Sequence, residues 1–318
     1  MSTAAKVPET WELTGDDARK TLLETGRVNL LKDAFVRLRA ADGFSHARSL
    51  AFVTSLVLVQ GLVALVGFTV VFGDLRISKE VIQAIQASFP GPVGALLTDA
   101  VTQARKVGGE ERYLPLLVGL AGTIVTGTTA MGQVERGFNQ LYGIEQDRPV
   151  LRKYGRAFLL AMGAGTILAC NFVVFTWGRG NGATNDLLGA TSPVVRWPIA
   201  LLVAGLALGA MLRFAPFRRQ PAWSWLMFGA AFCVVGWGFV TLLLGVFLQV
   251  STSFGDTYGP LAGIVALQLW TLFSSIAIFF GAAVAAQLEA VRAGSPQPRE
   301  DPASEELTER ESTASYAS

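Results

Sequence analysis

Residues 221–288 read PAWSWLMFGAAFCVVGWGFVTLLLGVFLQVSTSFGDTYGPLAGIVALQLWTLFSSIAIFFGAAVAAQL, with one charged side chain, Asp256. A helix on the surface of a water-soluble domain keeps a polar face for solvent, and this stretch offers none. The hydrocarbon core of a bilayer is about 30 Å thick and takes about 20 apolar helical residues to cross. The stretch is long enough for two crossings with Asp256 in the turn between them. Asp256 and Tyr258 are then expected at the mouth of that turn, as entrance or interface groups and not as charges at mid-bilayer.

The rest of the chain repeats the pattern. Further apolar runs at 50–73, 113–134, 157–177 and 197–212 join 223–249 and 260–287, giving six spans. The expected fold is therefore an all-α integral membrane protein, a bundle of six transmembrane helices. Its membrane domain covers residues 28–292. An N-terminal amphipathic cytoplasmic helix precedes it, because Leu30, Leu31, Ala34, Phe35 and Leu38 share one helical face with Lys32, Arg37 and Arg39 around it. That face could lie in the headgroup layer or on the protein itself. Between the first two spans, residues 77–89 and 93–104 read as two amphipathic arms broken at Pro90-Gly91-Pro92, an extracytoplasmic helical hairpin. The second span is rich in Gly and Thr, which places it in the middle of the bundle. Residues 1–27 read as a polar, solvated tail, and residues 293–318, rich in Pro, Ser and Glu, as a disordered cytoplasmic tail. No apolar h-region precedes residue 50, so the first span is expected to act as an uncleaved signal-anchor.

Charge sets the orientation. With the N-terminus inside, the inner segments carry 19 Lys and Arg and the outer loops 7. The short loops decide this, and the connections 135–156 and 213–222 are basic while the last turn has no cation. Both termini are therefore expected in the cytoplasm, the membrane being a bacterial inner one. Trp177, Trp197, Trp223 and Trp225 fall at span ends, where an aromatic belt sits.

Composition limits the chemistry. Of 318 residues, 51% are hydrophobic and only 16% charged, against about 25% in soluble domains, and mean hydropathy is +0.44. A net charge of +2 gives no ground for a nucleic-acid partner. Cys170 and Cys233 both sit in apolar runs and read as small buried hydrophobes, not a disulfide framework. His46 is the one histidine, read as an interfacial side chain. A two-metal nuclease needs clustered His and Asp ligands, a serine protease a base beside its nucleophile, and an aspartyl protease two carboxylates; none of these sets can be assembled from the spans. No metal, cofactor or phosphate-binding loop is indicated, so no enzyme is expected.

What the spans do carry is uncharged polar groups: Gln60, Thr126, Gln133, Asn171, Gln268, Ser274 and Ser275. They read either as interhelical hydrogen bonds or as the lining of a polar cavity formed by the second, fifth and sixth spans. With Asn139 and Tyr142 beyond the second span, Thr126, Asn171, Asp256, Tyr258, Gln268 and Ser274 make up the candidate cavity or gate. Arg136, Arg152, Arg213, Arg218 and Arg219 form a basic collar, either plain orientation signals or contacts for anionic lipid or solute.

Four stretches, in order, carry a family resemblance: Ala47-Arg48-Ser49-Leu50-Ala51-Phe52; Phe138-Asn139-Gln140-Leu141-Tyr142-Gly143-Ile144 with Arg148 and Arg152; Arg213-Phe214-Ala215-Pro216 with Trp223 and Gly229-Ala230; and Tyr258-Gly259-Pro260-Leu261-Ala262-Gly263 running through Trp270 to Gly281-Ala282. By these the chain resembles the YihY/BrkB family of bacterial inner-membrane proteins. The first span departs from the family's aromatic, proline-bearing pattern at Thr54-Ser55-Leu56-Val57. The resemblance implies six membrane helices. It implies no agreed activity, since relatives carry ribonuclease and serum-resistance labels and transport has been suggested. Two readings follow: a transporter or flippase-like protein for a small solute or lipid, or a non-catalytic envelope scaffold that organises lipid. Ribonuclease activity is disfavoured by the missing ligands. The partner expected is the bilayer, anionic lipids included, with a second copy of the chain or another envelope protein as further candidates.

Overall fold

The computed structural model describes residues 3–72, 91–110, 113–146, 148–180, 193–251 and 261–300. Asp256, Tyr258, the first arm of the expected hairpin and the tail beyond residue 300 lie outside them. The described residues form helices joined by turns, with a single isolated bridge between Ala4 and Arg299 and no named strand. The helices are α1 (Gly15–Thr25), α2 (Arg27–Ala40), α3 (Gly43–Phe72), α4 (Gly91–Glu110), α5 (Leu114–Leu141), α6 (Val150–Gly180), α7 (Pro193–Phe214), α8 (Trp223–Val250) and α9 (Ala262–Arg292). Four of them, α3, α5, α8 and α9, are long and apolar enough to cross a membrane, and α7 holds a shorter apolar helix, Pro198–Phe214.

The helix ends follow local chemistry. Thr14 caps α1 reciprocally with Asp17, whose Oδ2 accepts from the Thr14 amide (3.1 Å) and hydroxyl (2.9 Å). Gly26, at φ 82°, turns the chain from α1 into α2. Proline opens α5 within its first turn. At the end where the two termini meet, helices run past the apolar run that seeded them: α5 extends seven residues beyond 134 and α9 to Arg292. A helix continues as long as its next residues find partners, and the overhanging turns here find them in each other.

Packing runs as a ring, with α3 on α5, α5 on α6, α6 on α7, α7 on α8, α8 on α9 and α9 back on α3. The second span was expected at the centre. The final helix takes that place instead: 19 of the 31 residues of α9 are buried, against 10 of 28 in α5. The closest backbone approach of α5 is to α3, where a Cβ on Gly119 would strike the backbone of Ala64 and one on Gly67 that of Leu116. Small residues bring two backbones together, and one such seam does not make a helix central. α4 lies over the far ends of α3 and α9, burying Leu97 and Val101 against Val66, Ala262, Ala266 and Leu267.

Three other expectations are corrected. Residues 3–25 are not a solvated tail: Ala4 and Val7 are buried, α1 docks on α8 through the Gly15 amide to Ser224 Oγ (2.9 Å), and Leu13 O accepts from the Ala222 amide (3.2 Å). Residues 294–300 are not free either, since they pair with the N-terminal segment, Ala5 donating to Pro298 O and Glu300 to Thr3 O. Trp225 is fully buried and no belt residue, because a two-residue step from the half-exposed Trp223 turns it to the opposite helix face. The amphipathic α2 lies on the protein itself, with Leu30, Ala34 and Leu38 in the core and Phe35 exposed.

Candidate functional site

The overhanging ends of α5 and α9, the turn 215–222, the helix α2 and both termini meet in one polar cap. Its sequence origin is simple: each apolar run is followed within a turn by residues that hydrogen-bond, such as Glu135 and Asn139 after the second span and Gln287 and Glu289 after the last. Brought together at one end of the ring, they bond one another out of water, with Glu135 Oε2, Asn139 Nδ2 and Glu289 Oε2 left without a partner.

Two buried ion pairs anchor the cap. Arg148 reaches Glu135 Oε1 at 2.5 Å and also donates to the carbonyls of Ala215 (2.8 Å) and Pro216 (2.7 Å), with Phe217 under its guanidinium at 4.9 Å. Asn139 Oδ1 accepts from the Phe217 amide (2.7 Å). The turn after α7 is thereby stapled to the end of α5. Arg218 reaches Glu289 Oε1 at 2.6 Å, donates to Val7 O and Pro8 O, and stands 4.6 Å over the Tyr142 ring. Thr10 donates to the same Glu289 oxygen at 2.6 Å. Ion pairs this dry are held mainly by the cost of breaking them: removing one partner typically loses about 3–5 kcal/mol.

Arg37 completes the cap. It is wholly buried, and its four hydrogen bonds all end on neutral acceptors: Gln287 Oε1 (2.7 Å) and the carbonyls of Ala5 (2.8 Å), Leu141 (3.2 Å) and Gln297 (3.1 Å). Burial pulls its ionisation down to about 10. Burial likewise pushes the fully enclosed Tyr142 phenol well above its ordinary value, and the neighbouring Glu289 adds to the effect. Gly143 follows at φ 66°, with the backbone of Lys6 lying where a Cβ would stand, and Tyr142 O accepts from the Val7 amide (3.1 Å).

The residues singled out from sequence fall in three places. Asn139, Tyr142 and Arg218 belong to the cap, where Arg213 also closes its own turn onto Gln220 O and Pro221 O. Arg219 lies 5.9 Å over Trp11, while Arg136 and Arg152 are exposed. Arg136 and Asn139 line a cavity of about 200 Å³ with Gln140, Ile144, Glu145 and Gln146. Among the spans, Thr126 Oγ1 donates to Gln60 Oε1 (3.0 Å) and Gln268 Nε2 to Ser55 Oγ (2.8 Å), both on α3, and Asn171 Nδ2 donates to Ala200 O (3.1 Å) between α6 and α7. Ser274 is buried in α9 and its hydroxyl makes no hydrogen bond. Thr126, Gln268 and Asn171 are thus pairwise ties between neighbouring helices. His46 Nε2 meets Gln140 Oε1 at 2.6 Å. Cys233 is buried as expected of an apolar-run thiol, but Cys170 is exposed.

Sequence reading passed over Arg37, Glu135, Arg148, Gln287 and Glu289. The signal was present in one form: Glu135 and Glu289 are lone acids at helix ends that are otherwise basic, and a lone acid there invites an arginine partner.

Midway along its length, α6 departs from its neighbours. Residues 165–170 are all exposed, and six successive helical residues cover every face. A Cβ on Gly163 or Gly165 would meet nothing within 4 Å. The helix touches the bundle near Ala157 and Ala164, both buried, and returns to it at Asn171.

Comparison with known proteins gives one family. The model of the family described as "Virulence factor BrkB" matches residues 34–306. A Bacillus subtilis (strain 168) protein whose name calls it ribonuclease-like, YfkH, is 24% identical over 269 residues, 82% of this chain and 95% of that one. A protein of Azoarcus sp. (strain BH72) named UPF0761 membrane protein is 28% identical over 264 residues, 77% of this chain and 59% of its own. One of the same name from Pseudomonas aeruginosa (strain LESB58) is 27% identical over 184 residues, 55% of this chain and 43% of its own. The chain therefore spans nearly all of the first relative and about half of the other two. No solved structure matches it.

Proposed function

Because the chain belongs to the virulence factor BrkB family, we propose that this multi-pass membrane protein crosses a bacterial inner membrane six times and moves a small solute or lipid as a transporter or flippase-like protein. The observation that carries the reading is the unequal packing of the ring along its length. One end is shut by the charged cap. Midway along α6, residues 165–170 all stay exposed, where a bundle built only to be solid would pack small residues against its neighbours.

Six crossings follow if α6 and α7 span beside the four longer apolar helices. The bridge between Ala4 and Arg299 brings the two termini to one end, which requires an even number of crossings. The basic connections 135–156 and 213–222 lie at that same end, so the positive-inside rule assigns it to the cytoplasm. We read the protein as non-enzymatic: Glu135 and Glu289 are each closed onto an arginine and neither is available to a second carboxylate. The relative named ribonuclease-like does not alter that reading. The exposed Arg136 and Arg152 are the collar residues placed to meet anionic lipid headgroups.

The envelope-scaffold reading has one observation in its favour, the pairwise ties of Thr126, Gln268 and Asn171 in place of a shared polar groove. Reconstitution into liposomes with a panel of fluorescent lipids and labelled small solutes separates the two. Transport predicts protein-dependent movement of at least one member of the panel. No movement of any of them contradicts it and leaves the scaffold.

A further inference from the structure

The cap holds more positive charge than its own helices and turns neutralise. Arg37, Arg218, Glu289 and Tyr142 form one buried cluster, two guanidiniums to one carboxylate with the phenol neutral, and the half-buried Asp33 on α2 acts on Arg37 from outside it. The surplus charge is met by backbone dipoles, and the terminal segments supply most of them. Ala5 O takes an Arg37 N–H, Val7 O and Pro8 O take those of Arg218, and Gln297 O takes another from Arg37. Three of these four acceptors come from a single extended stretch, residues 3–10, which is seated on Gly143 with Ala4 and Val7 buried and is held besides by Val7 to Tyr142 O, Ala5 to Pro298 O, Thr3 to Ala40 O, Glu300 to Thr3 O, the Arg219 amide to Glu9 and Thr10 to Glu289. A planar guanidinium prefers the paired oxygens of a phosphate or carboxylate, whose bonds are shorter and about twice as strong as those to neutral carbonyls.

We propose that residues 3–10 are a displaceable strap whose carbonyls hold the place of an oxyanion on Arg37 and Arg218. When the strap leaves, a phosphate group, free or on a lipid headgroup, binds there and neutralises the cluster. Strap and phosphate therefore compete for one site. The site stands whether or not anything crosses the bilayer.

The test uses the full chain in dodecyl maltoside micelles, which carry no phosphate, with amide hydrogen exchange of residues 3–10 followed through a titration of inorganic phosphate against chloride at equal ionic strength. Phosphate is expected to speed exchange of Ala5 and Val7 about tenfold, corresponding to about 1.4 kcal/mol in the opening equilibrium, while chloride leaves it unchanged. Nanodiscs that include phosphatidylglycerol form the second arm: fast exchange there without added phosphate assigns the lipid as the source, and slow exchange assigns the free anion. A chain with Ala4→Cys and Arg299→Cys, and with Cys170→Ala and Cys233→Ala, locks the strap by a disulfide across the bridged pair. It should lose the phosphate response and regain it on reduction. Arg37→Gln should lose the response without a lock; where it does not fold, the locked and reduced forms decide alone. Equal effects of phosphate and chloride, or a phosphate response that survives the lock, would overturn the proposal.

Discussion

Helices α6 and α9 each have 31 residues, and they are opposite in almost every other respect. Near its end α9 runs Gly281-Ala282-Ala283-Val284-Ala285-Ala286-Gln287-Leu288-Glu289, small residues with polar ones among them, and all nine are buried. The described part of α6 carries Phe158, Leu159, Met162, Ile167 and Leu168 on its surface. In water, burial goes with size and hydrophobicity. In a bilayer lipid tails solvate large apolar side chains as well as the protein does, so close packing selects small residues and polar groups that find partners. The comparison teaches that apolar content locates these helices in a membrane, while their small and polar residues say which of them is central.

The strongest way to break that contrast is at the cap end of α9. Arg218→Leu leaves Glu289 buried and unpaired, and about 3–5 kcal/mol of stability should be lost. Arg218→Leu with Glu289→Leu should recover most of it. Thermal unfolding of the purified protein reads both, and a double variant no better than the single one would show that the pair matters for more than charge. Next in size comes a glycine contrast. Gly281→Leu drives a side chain into Cys233 and the Gly229 carbonyl and should cost about 1–3 kcal/mol. Gly165→Leu on α6 enters open space and should fall within about 0.5 kcal/mol of the parent. Smaller still is the loss of a single tie: Gln268→Leu removes the bond to Ser55 and should cost about 0.6 kcal/mol, with about 1.7 as the upper bound. Leu168→Ala should be nearly silent in detergent. A loss there of the size seen in packed cores, about 2–5 kcal/mol, would mean that α6 is covered by something, a second copy of the chain being the obvious occupant to test by its mass in solution.

Much of the fold was legible because bilayer crossing is a constraint on composition alone. The run 223–249 fell within a residue of α8 at each end, and the run from 113 began one residue before α5. The cap was not legible, and its residues show why. Arg37 reads as one of several cations on an amphipathic helix; nothing local tells that it alone turns inward to collect carbonyls from both termini. Glu289 closes onto Arg218, 71 residues away, and Thr10, 279 residues away, and such pairing is set by how helices assemble. The same limit misplaced the centre of the bundle. Gly119 and Gly122 marked a close approach correctly, but a sequence cannot say how many sides of a helix will be approached. Asn139 and Tyr142 were singled out as a gate, yet what distinguishes them is what they hold: the Phe217 amide and the strap at Val7.

The central proposal is the transport reading, a ring shut at its cap that encloses a water-filled path along one face of α6. Single cysteines at residues 165 to 170, in a chain otherwise without thiols, test it most directly when treated in membrane vesicles with a charged, membrane-impermeant thiol reagent. The account predicts reaction at positions recurring about every third or fourth residue, those facing the interior of the ring, with the lipid-facing ones inert. Six inert positions would contradict it, because α6 would then be surrounded by hydrocarbon and the ring would enclose no path.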